Sequence, residues 1–320
     1  MKVVYSSHYD ISFFGMERLH PFNSRKYGRA YRKLRRRFGR SLRGCLMSVD
    51  RPASDSELLL GHTAGYLAQV QRREALAAAR EVPQLSWAPS WLLRWRVVRP
   101  MRWAVRGSII AAESAMREGL AINLSGGYHH AKPSHGEGFC LFNDIAIAVR
   151  ALQRDRVLND ASRTVYLDLD AHQGNGVCHE FMEDARTFIF DMYNRDIYPI
   201  DDVDARDRID CSAGLRGGTS GADYLAMLQD KLPEFLDSLG KRRPIELAIY
   251  NAGTDVVTGD PLGNLELSPD DVLERDLFVV DQLRSRGIPV VLLPSGGYTQ
   301  GSCQLIAATV GELIIKYAKD

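Results

Sequence analysis

The chain has 320 residues, 45% of them apolar and 25% charged, with a formal net charge of +1. That length allows one large α/β domain or two ordinary ones, with ample material for a core. Near-neutral charge gives no global pull towards nucleic acid or membrane, so direct nucleic-acid binding is not expected. Five cysteines (Cys45, Cys140, Cys178, Cys211, Cys303) are widely spaced and form no C-x-x-C pair. They argue for reduced thiols and against a disulfide framework or a cysteine zinc site. No signal-peptide core follows the first residues and no apolar run reaches membrane-spanning length, so the expectation is a cytoplasmic protein with no membrane span.

Taken in order, Lys2 to Tyr5 predicts a first strand. Between Arg25 and Arg43 lie ten Arg or Lys and no acid. Tyr27, Tyr31, Leu34 and Phe38 recur through that run at helical spacing, which predicts an amphipathic helix with a basic solvent face open to an acidic partner. Asp55 to Arg80 reads as one helix, capped by Ser54 or Asp55, with Leu58, His62, Tyr66 and Val70 four apart. All four tryptophans fall between Trp87 and Trp103, with Trp87, Trp91 and Trp95 four apart and arginines between them. The plain expectation is a helix whose indole stripe packs on the body. The alternative is an apolar rim at a substrate entrance or a dimer contact.

From Ser108 the pattern becomes regular. Helices over Ile109 to Glu118, Asn143 to Gln153, Tyr224 to Leu239, Asp270 to Ser285 and Ser302 to Tyr317 alternate with apolar strands. The strands run over Ala121 to Leu124, Thr164 to Leu169, Thr187 to Asp191, Ile245 to Tyr250 and Pro289 to Leu293. Such alternation predicts a mainly parallel sheet covered on both faces, and no linker or repeat divides it. A single domain over 1–320 is expected.

The polar residues with chemical potential each follow a strand's carboxyl end: His129-His130, Asp168/Asp170/His172, Asp255 and Tyr298. In open α/β sheets ligands bind at that edge. Asp168 and Asp170 share a strand face, and no Arg or Lys lies between Val165 and Glu183 to neutralise them. A divalent metal would; a salt-bridge cluster is the alternative. Catalytic zinc takes three protein ligands and an open position, and Asp170, His172 and Asp255 supply two oxygens and one nitrogen. Two carboxylates cancel the ion's formal charge, so a base is needed, either His130 or His129. Asp168 can orient a histidine, and Tyr298, helped by Gly296 and Gly297, can donate to an oxyanion. Metal, base and donor together point to hydrolysis of an amide or related acyl bond. His8, His20, His62, His135 and His179 read as structural or solvated.

The segments Gly126-Gly-Tyr-His-His130, Gly136-Glu-Gly-Phe-Cys140, Asp168-Leu-Asp-Ala-His-Gln-Gly-Asn-Gly176, Asn251-Ala-Gly-Thr-Asp255 and Ser295-Gly-Gly-Tyr298 resemble the zinc-dependent histone deacetylase family. Leu19-His-Pro-Phe22, Asp191-Met-Tyr-Asn-Arg195, Ile197-Tyr-Pro199 and Gly259-Asp-Pro-Leu-Gly263 resemble its class IV, histone deacetylase 11-like branch. The resemblance implies an arginase/deacetylase-like three-layer α/β/α sandwich around about eight strands. It implies one catalytic zinc on Asp170, His172 and Asp255, with His130 as base, His129 as charged partner paired to Asp168, and Tyr298 polarising the acyl carbonyl. It places Gly138, Phe139, Tyr198, Gly296 and Gly297 around the acyl-lysine, and a structural potassium on the backbone of Asp168, Asp170 and His172 with Asp191. One departure stands out: the histidine matching His130 is usually backed by aspartate, and here Asn175 takes that place. The implied activity is deacylation of lysine ε-amines in proteins, acetyl or longer. The alternatives are deacetylation of small polyamines and a non-catalytic acyl-lysine-binding module.

Overall fold

The structure, a computed structural model, describes residues 1–11, 25–70, 89–241 and 243–318. Eight strands form one sheet: β1 (Lys2–Tyr5), β2 (Leu46–Ser48), β3 (Leu120–Asn123), β4 (Thr164–Asp168), β5 (Thr187–Asn194), β6 (Cys211–Leu215), β7 (Leu247–Asn251) and β8 (Val290–Leu293). Their order is β2-β1-β3-β8-β7-β4-β5-β6, and every pairing is parallel. Alternate residues feed opposite cores, as the pleat requires. Val165 and Leu167 enter one cluster and Tyr166 the other; Val290 and Leu292 oppose Val291 and Leu293 in the same way.

Helices cover both faces. On one side pack α1 (Lys26–Cys45) and the later helices Gly221–Gly240, Pro269–Ser285 and Ser302–Tyr317; on the other pack Arg99–Glu118 and Asp144–Arg154. This is the expected three-layer arrangement. The five expected central strands and the expected helices from Asn143 onward match within a few residues. Strands β2 and β6, at the two edges, were not foreseen. Both are only partly buried, so neither carries the apolar run that marks a central strand.

Two other expectations fail. The helix from Asp55 is not continuous: it stops at Leu58, and a second begins at Ala64 and reaches Gln69. Ser54 caps the first with a reciprocal Glu57 bond and Thr63 caps the second. Between them His62 turns inward, where Nδ1 meets the Lys132 carbonyl at 3.1 Å and Nε2 accepts from the Asn143 amide at 2.9 Å. Residues 71–80 lie outside the described residues. The tryptophan stripe is the second failure. Trp91 and Trp95 are 59% and 48% exposed, and Trp103 alone among the described tryptophans is buried. Leu93, Val97, Met101 and Ala104 take the inward face at the same spacing, and a wider π-helical turn spans Arg94–Val98. The Arg96 guanidinium lies 4.1 Å from the Trp95 ring centre. Trp87 is outside the described residues, as are Leu19 to Phe22. The basic helix α1 forms as expected, with one surprise: Lys26 is fully buried. Among the described residues no helix is long and apolar enough to cross a membrane.

Candidate active site

Strands β3, β8, β7 and β4 are consecutive in the sheet, so the four loops at their carboxyl ends are forced together. Asp170, His172 and Asp255, all buried, bring one ligand atom each to within 4.8 Å of one another. His172 Nδ1 lies 3.1 Å from Asp170 Oδ1 and 3.0 Å from Asp255 Oδ2. One ring N–H cannot satisfy two carboxylates well, and two buried carboxylates in contact need positive charge. Burial and then Asp170 push the Asp255 carboxyl up to about 7. Burial opposes the His172 imidazolium, but hydrogen bonds to Asp170 and Asp255 raise it to about 10. Two oxygens and one nitrogen, converging in a buried pocket, fit a divalent cation such as zinc.

The remaining oxygens of the carboxylates are held by backbone. Gly296 N–H donates to Asp170 Oδ2 at 2.8 Å and Ala171 N–H donates to Asp255 Oδ1 at 3.0 Å. Gly296 has no substitute: a Cβ there would collide with both Asp170 and Asp255. The histidines form the adjoining wall, their rings 4.0 Å apart. His129 Nδ1 meets Asp168 Oδ2 at 2.8 Å, and Asp168 Oδ1 accepts from Asn251 at 3.0 Å and from the Asp170 amide at 3.2 Å. Burial disfavours the His129 cation, but Asp168 and Asp170 outweigh it and raise the ring to about 9. His130 Nδ1 meets Asn175 Oδ1 at 2.8 Å. Burial, His129 and His172 together hold His130 well below its ordinary value, so it is neutral.

Tyr298 closes the opposite wall, its ring 6.0 Å from His172 and 6.1 Å from Phe139. Burial, then Asp255 and Asp170, keep its phenol protonated and able to donate. Tyr198 stands edge-on to His130 at 5.0 Å. Phe139 and Tyr198 thus flank the mouth on different sides, and Gly138, at φ 54°, lies where a side chain would strike the His130 ring. Asp191 is fully buried beside Asp168; its Oδ2 accepts from Gly174 N–H at 2.9 Å and its Oδ1 has no hydrogen-bond partner among the described residues. Burial and then Asp168 push its carboxyl well up, and a monovalent cation against these groups would relieve that cost. A cavity of about 20 Å³ touches His129, His130, Tyr298, Phe139 and Tyr27, room for about one water. None of the described tryptophans lines it.

Four supports of this site were not foreseen. Lys26 Nζ donates to the Ser295 carbonyl and lies 3.4 Å from that of Gly297. Buried Arg275 donates to the Leu169 and Gly253 carbonyls, each at 2.8 Å, and so braces both ligand-bearing loops from beneath. Asp144 accepts from Gly127 and Tyr128 amides at 3.1 and 2.8 Å and shapes the turn before the histidines. Asp260 accepts from the Tyr298 amide at 2.8 Å. Only Asp260 carried a signal in the sequence, inside Gly259-Asp-Pro-Leu-Gly263. The others are charged residues on helices or at a helix start, where the pattern predicts solvent exposure.

Comparison with known proteins identifies the family. The Histone deacetylase domain family matches residues 20–313. Histone deacetylase 2 of Arabidopsis thaliana is 40% identical over 314 residues, 98% of this chain and 78% of that protein. Histone deacetylase RPD3 of Saccharomyces cerevisiae is 31% identical over 191 residues, 56% of this chain but 40% of that protein. The crystal structure of the HDA15 HD domain superposes with a TM-score of 0.73 over 100% of this chain and 91% of that one, at 19% identity. This likeness is one of fold: the same arginase/deacetylase-like parallel sheet between helical layers. The chain belongs to the histone deacetylase family.

Proposed function

We propose that the chain is a single catalytic domain that hydrolyses the acyl amide on the ε-amine of lysine in proteins or peptides, with zinc on Asp170, His172 and Asp255. One observation carries this reading. A three-donor cluster stands between a neutral histidine, whose Nδ1 is already engaged, and a protonated tyrosine. A divalent cation on those donors would polarise the acyl carbonyl and acidify water. His130 Nε2 takes the proton of the attacking water, Tyr298 donates to the oxyanion, and a protonated histidine returns the proton to the leaving amine. His129, paired with Asp168, keeps positive charge beside the developing oxyanion. Phe139 and Tyr198 hold the lysine stem, with Gly138, Gly296 and Gly297 allowing close approach. Potassium would sit on the backbone of Asp168, Asp170 and His172 with Asp191.

His172-Gln-Gly-Asn175 supports placement in the class IV branch. Five free cysteines fit a reducing compartment, and the cytoplasm is our placement. A binding module would need neither Tyr298 nor His130. The test is turnover of a panel of acyl-lysine peptides, acetyl through myristoyl, and of acetylated polyamines, with zinc added or chelated. Tyr298→Phe and His130→Ala should each lower kcat by about 10²-fold or more. Near-normal turnover in both variants, or activity after complete chelation, would sink the proposal.

A further inference from the structure

Asn175 stands where the family usually has aspartate, and its surroundings explain the exchange. It begins the short helix Asn175–Glu180, and its amide nitrogen faces two carboxylates. It donates to Glu137 Oε1 and, at 3.1 Å, to Asp202 Oδ2. Each carboxylate is itself anchored. Asp202 receives Lys132 Nζ at 2.8 Å and His179 Nε2 at 2.9 Å, and it caps the helix Val203–Asp207. Glu137 receives the Tyr198 hydroxyl at 2.8 Å, His135 Nε2 at 3.1 Å and Lys132 Nζ at 3.4 Å. The side chains of Glu137, Asp202 and Lys132 are 23%, 14% and 17% exposed, so this cluster sits just beneath the surface at the mouth.

The logic of donors and acceptors then runs in one direction. An ionised carboxylate only accepts, so the amide must turn its NH₂ to Glu137 and Asp202. That turns its oxygen to His130 Nδ1, 2.8 Å away. An oxygen at that distance requires Nδ1 to carry the ring proton, which leaves the lone pair on Nε2. With its other face turned round, the same amide would offer N–H to Nδ1 and drive the proton to Nε2, where a base must be able to accept. An amide by itself has no preference between the two; its neighbours decide.

We propose that Glu137 and Asp202 are positioning residues for His130, which fix the Asn175 amide and through it the histidine tautomer that can accept a proton. An aspartate at 175 would place three carboxylates together, so here asparagine and its two acidic partners form one unit. Tyr198, bonded to Glu137 and packed edge-on against His130, ties the wall of the mouth to the same unit. The inference rests on His130 being the base.

The test is histidine ¹⁵N NMR at neutral pH on the protein as purified and with zinc added, the His130 signals being assigned by their loss in His130→Ala. Steady-state kinetics on an acetyl-lysine peptide run alongside. The wild type should show His130 protonated at Nδ1. Glu137→Gln with Asp202→Asn, which keeps the Asp202 helix cap possible, should populate the Nε2–H form and lower kcat about 10-fold or more with KM little changed. Asn175→Asp should also lower kcat, and Asn175→Asp with Asp202→Asn should recover much of it, because the amide and the carboxylate have only traded places. A double variant with unchanged tautomer and kcat would overturn the proposal, as would absence of recovery in the swapped pair. If the tautomer shifts but no acyl-lysine is hydrolysed even by wild type, the positioning role stands and the hydrolase reading falls.

Discussion

His129 and His130 are neighbours in sequence and equally buried, yet their charges differ. His129 faces the carboxylates of Asp168 and Asp170 and is held as a cation, near 9. His130 faces the neutral oxygen of Asn175, and burial together with its cationic neighbours holds it uncharged. Burial pushes both rings the same way, so the partner decides. His62 repeats the second case far from the site. It is 5% exposed, bonded to backbone groups among the described residues, and burial lowers it to about 4. One side of the pair therefore stores charge, and the other stays ready to receive a proton.

The comparison can be broken most directly by deleting each ring. His130→Ala should lower kcat by about 10² to 10⁴-fold, the span for a general base, and His129→Ala by a smaller factor. Equal losses in steady-state assays of the two variants would erase the distinction. Next, Asp168→Asn removes the charge behind His129 while keeping its shape, and should cost about 10- to 100-fold in activity or zinc affinity. Unchanged kinetics and unchanged zinc affinity in a chelator competition would show that the inner carboxylate does nothing for its histidine. Arg275→Met, which unties the Leu169 and Gly253 carbonyls, should weaken zinc binding by about 10-fold with His130 unaffected. Zinc titration together with the His130 ¹⁵N signal tests both halves of that statement.

The smallest effect concerns stability alone. His62 binds a proton less readily folded than unfolded, so its contribution is present above pH 6.5 and is lost as pH falls towards 4. At pH 5 the loss relative to pH 7 should be about 2 kcal/mol. Urea unfolding of wild type and His62→Gln at both pH values isolates it. The wild type should lose more stability on acidification than the variant, and parallel losses would refute the assignment.

Much of this architecture was readable beforehand, for a physical reason. Central parallel strands must be apolar on both faces, so Thr164 to Leu169 and Pro289 to Leu293 announce themselves, and polar residues directly after them must lie at one edge. Edge strands obey no such rule, which is why Leu46–Ser48 and Cys211–Leu215 passed unnoticed. The tryptophans misled because spacing shows which residues share a face but not which face turns inward. Leu93, Val97 and Met101 offered a competing stripe, and it won. Lys26 and Arg275 were hidden by their own chemistry, since a cation buried for its hydrogen bonds looks in sequence like any solvated one. Glu137 and Asp202 gained meaning only from the loops that bring them to Asn175.

The bond from Lys26 to the Ser295 and Gly297 carbonyls has a consequence for how the molecule comes into being. It joins positions 269 and 271 residues apart, and α1 packs along the helix Ser302–Tyr317 that follows the same loop. The loop that carries Tyr298 is thus fastened by a helix that precedes it by 269 residues and must wait for all of them before it finds its target. Contacts of such range are closed late because their entropy must be met before they reward it. The two parts of the sheet, β2-β1-β3 and β7-β4-β5-β6, can gather earlier, but β8 that joins them and the wall opposite the histidines come last, so a chain interrupted short of Ser295 would carry every metal ligand and still lack a finished site.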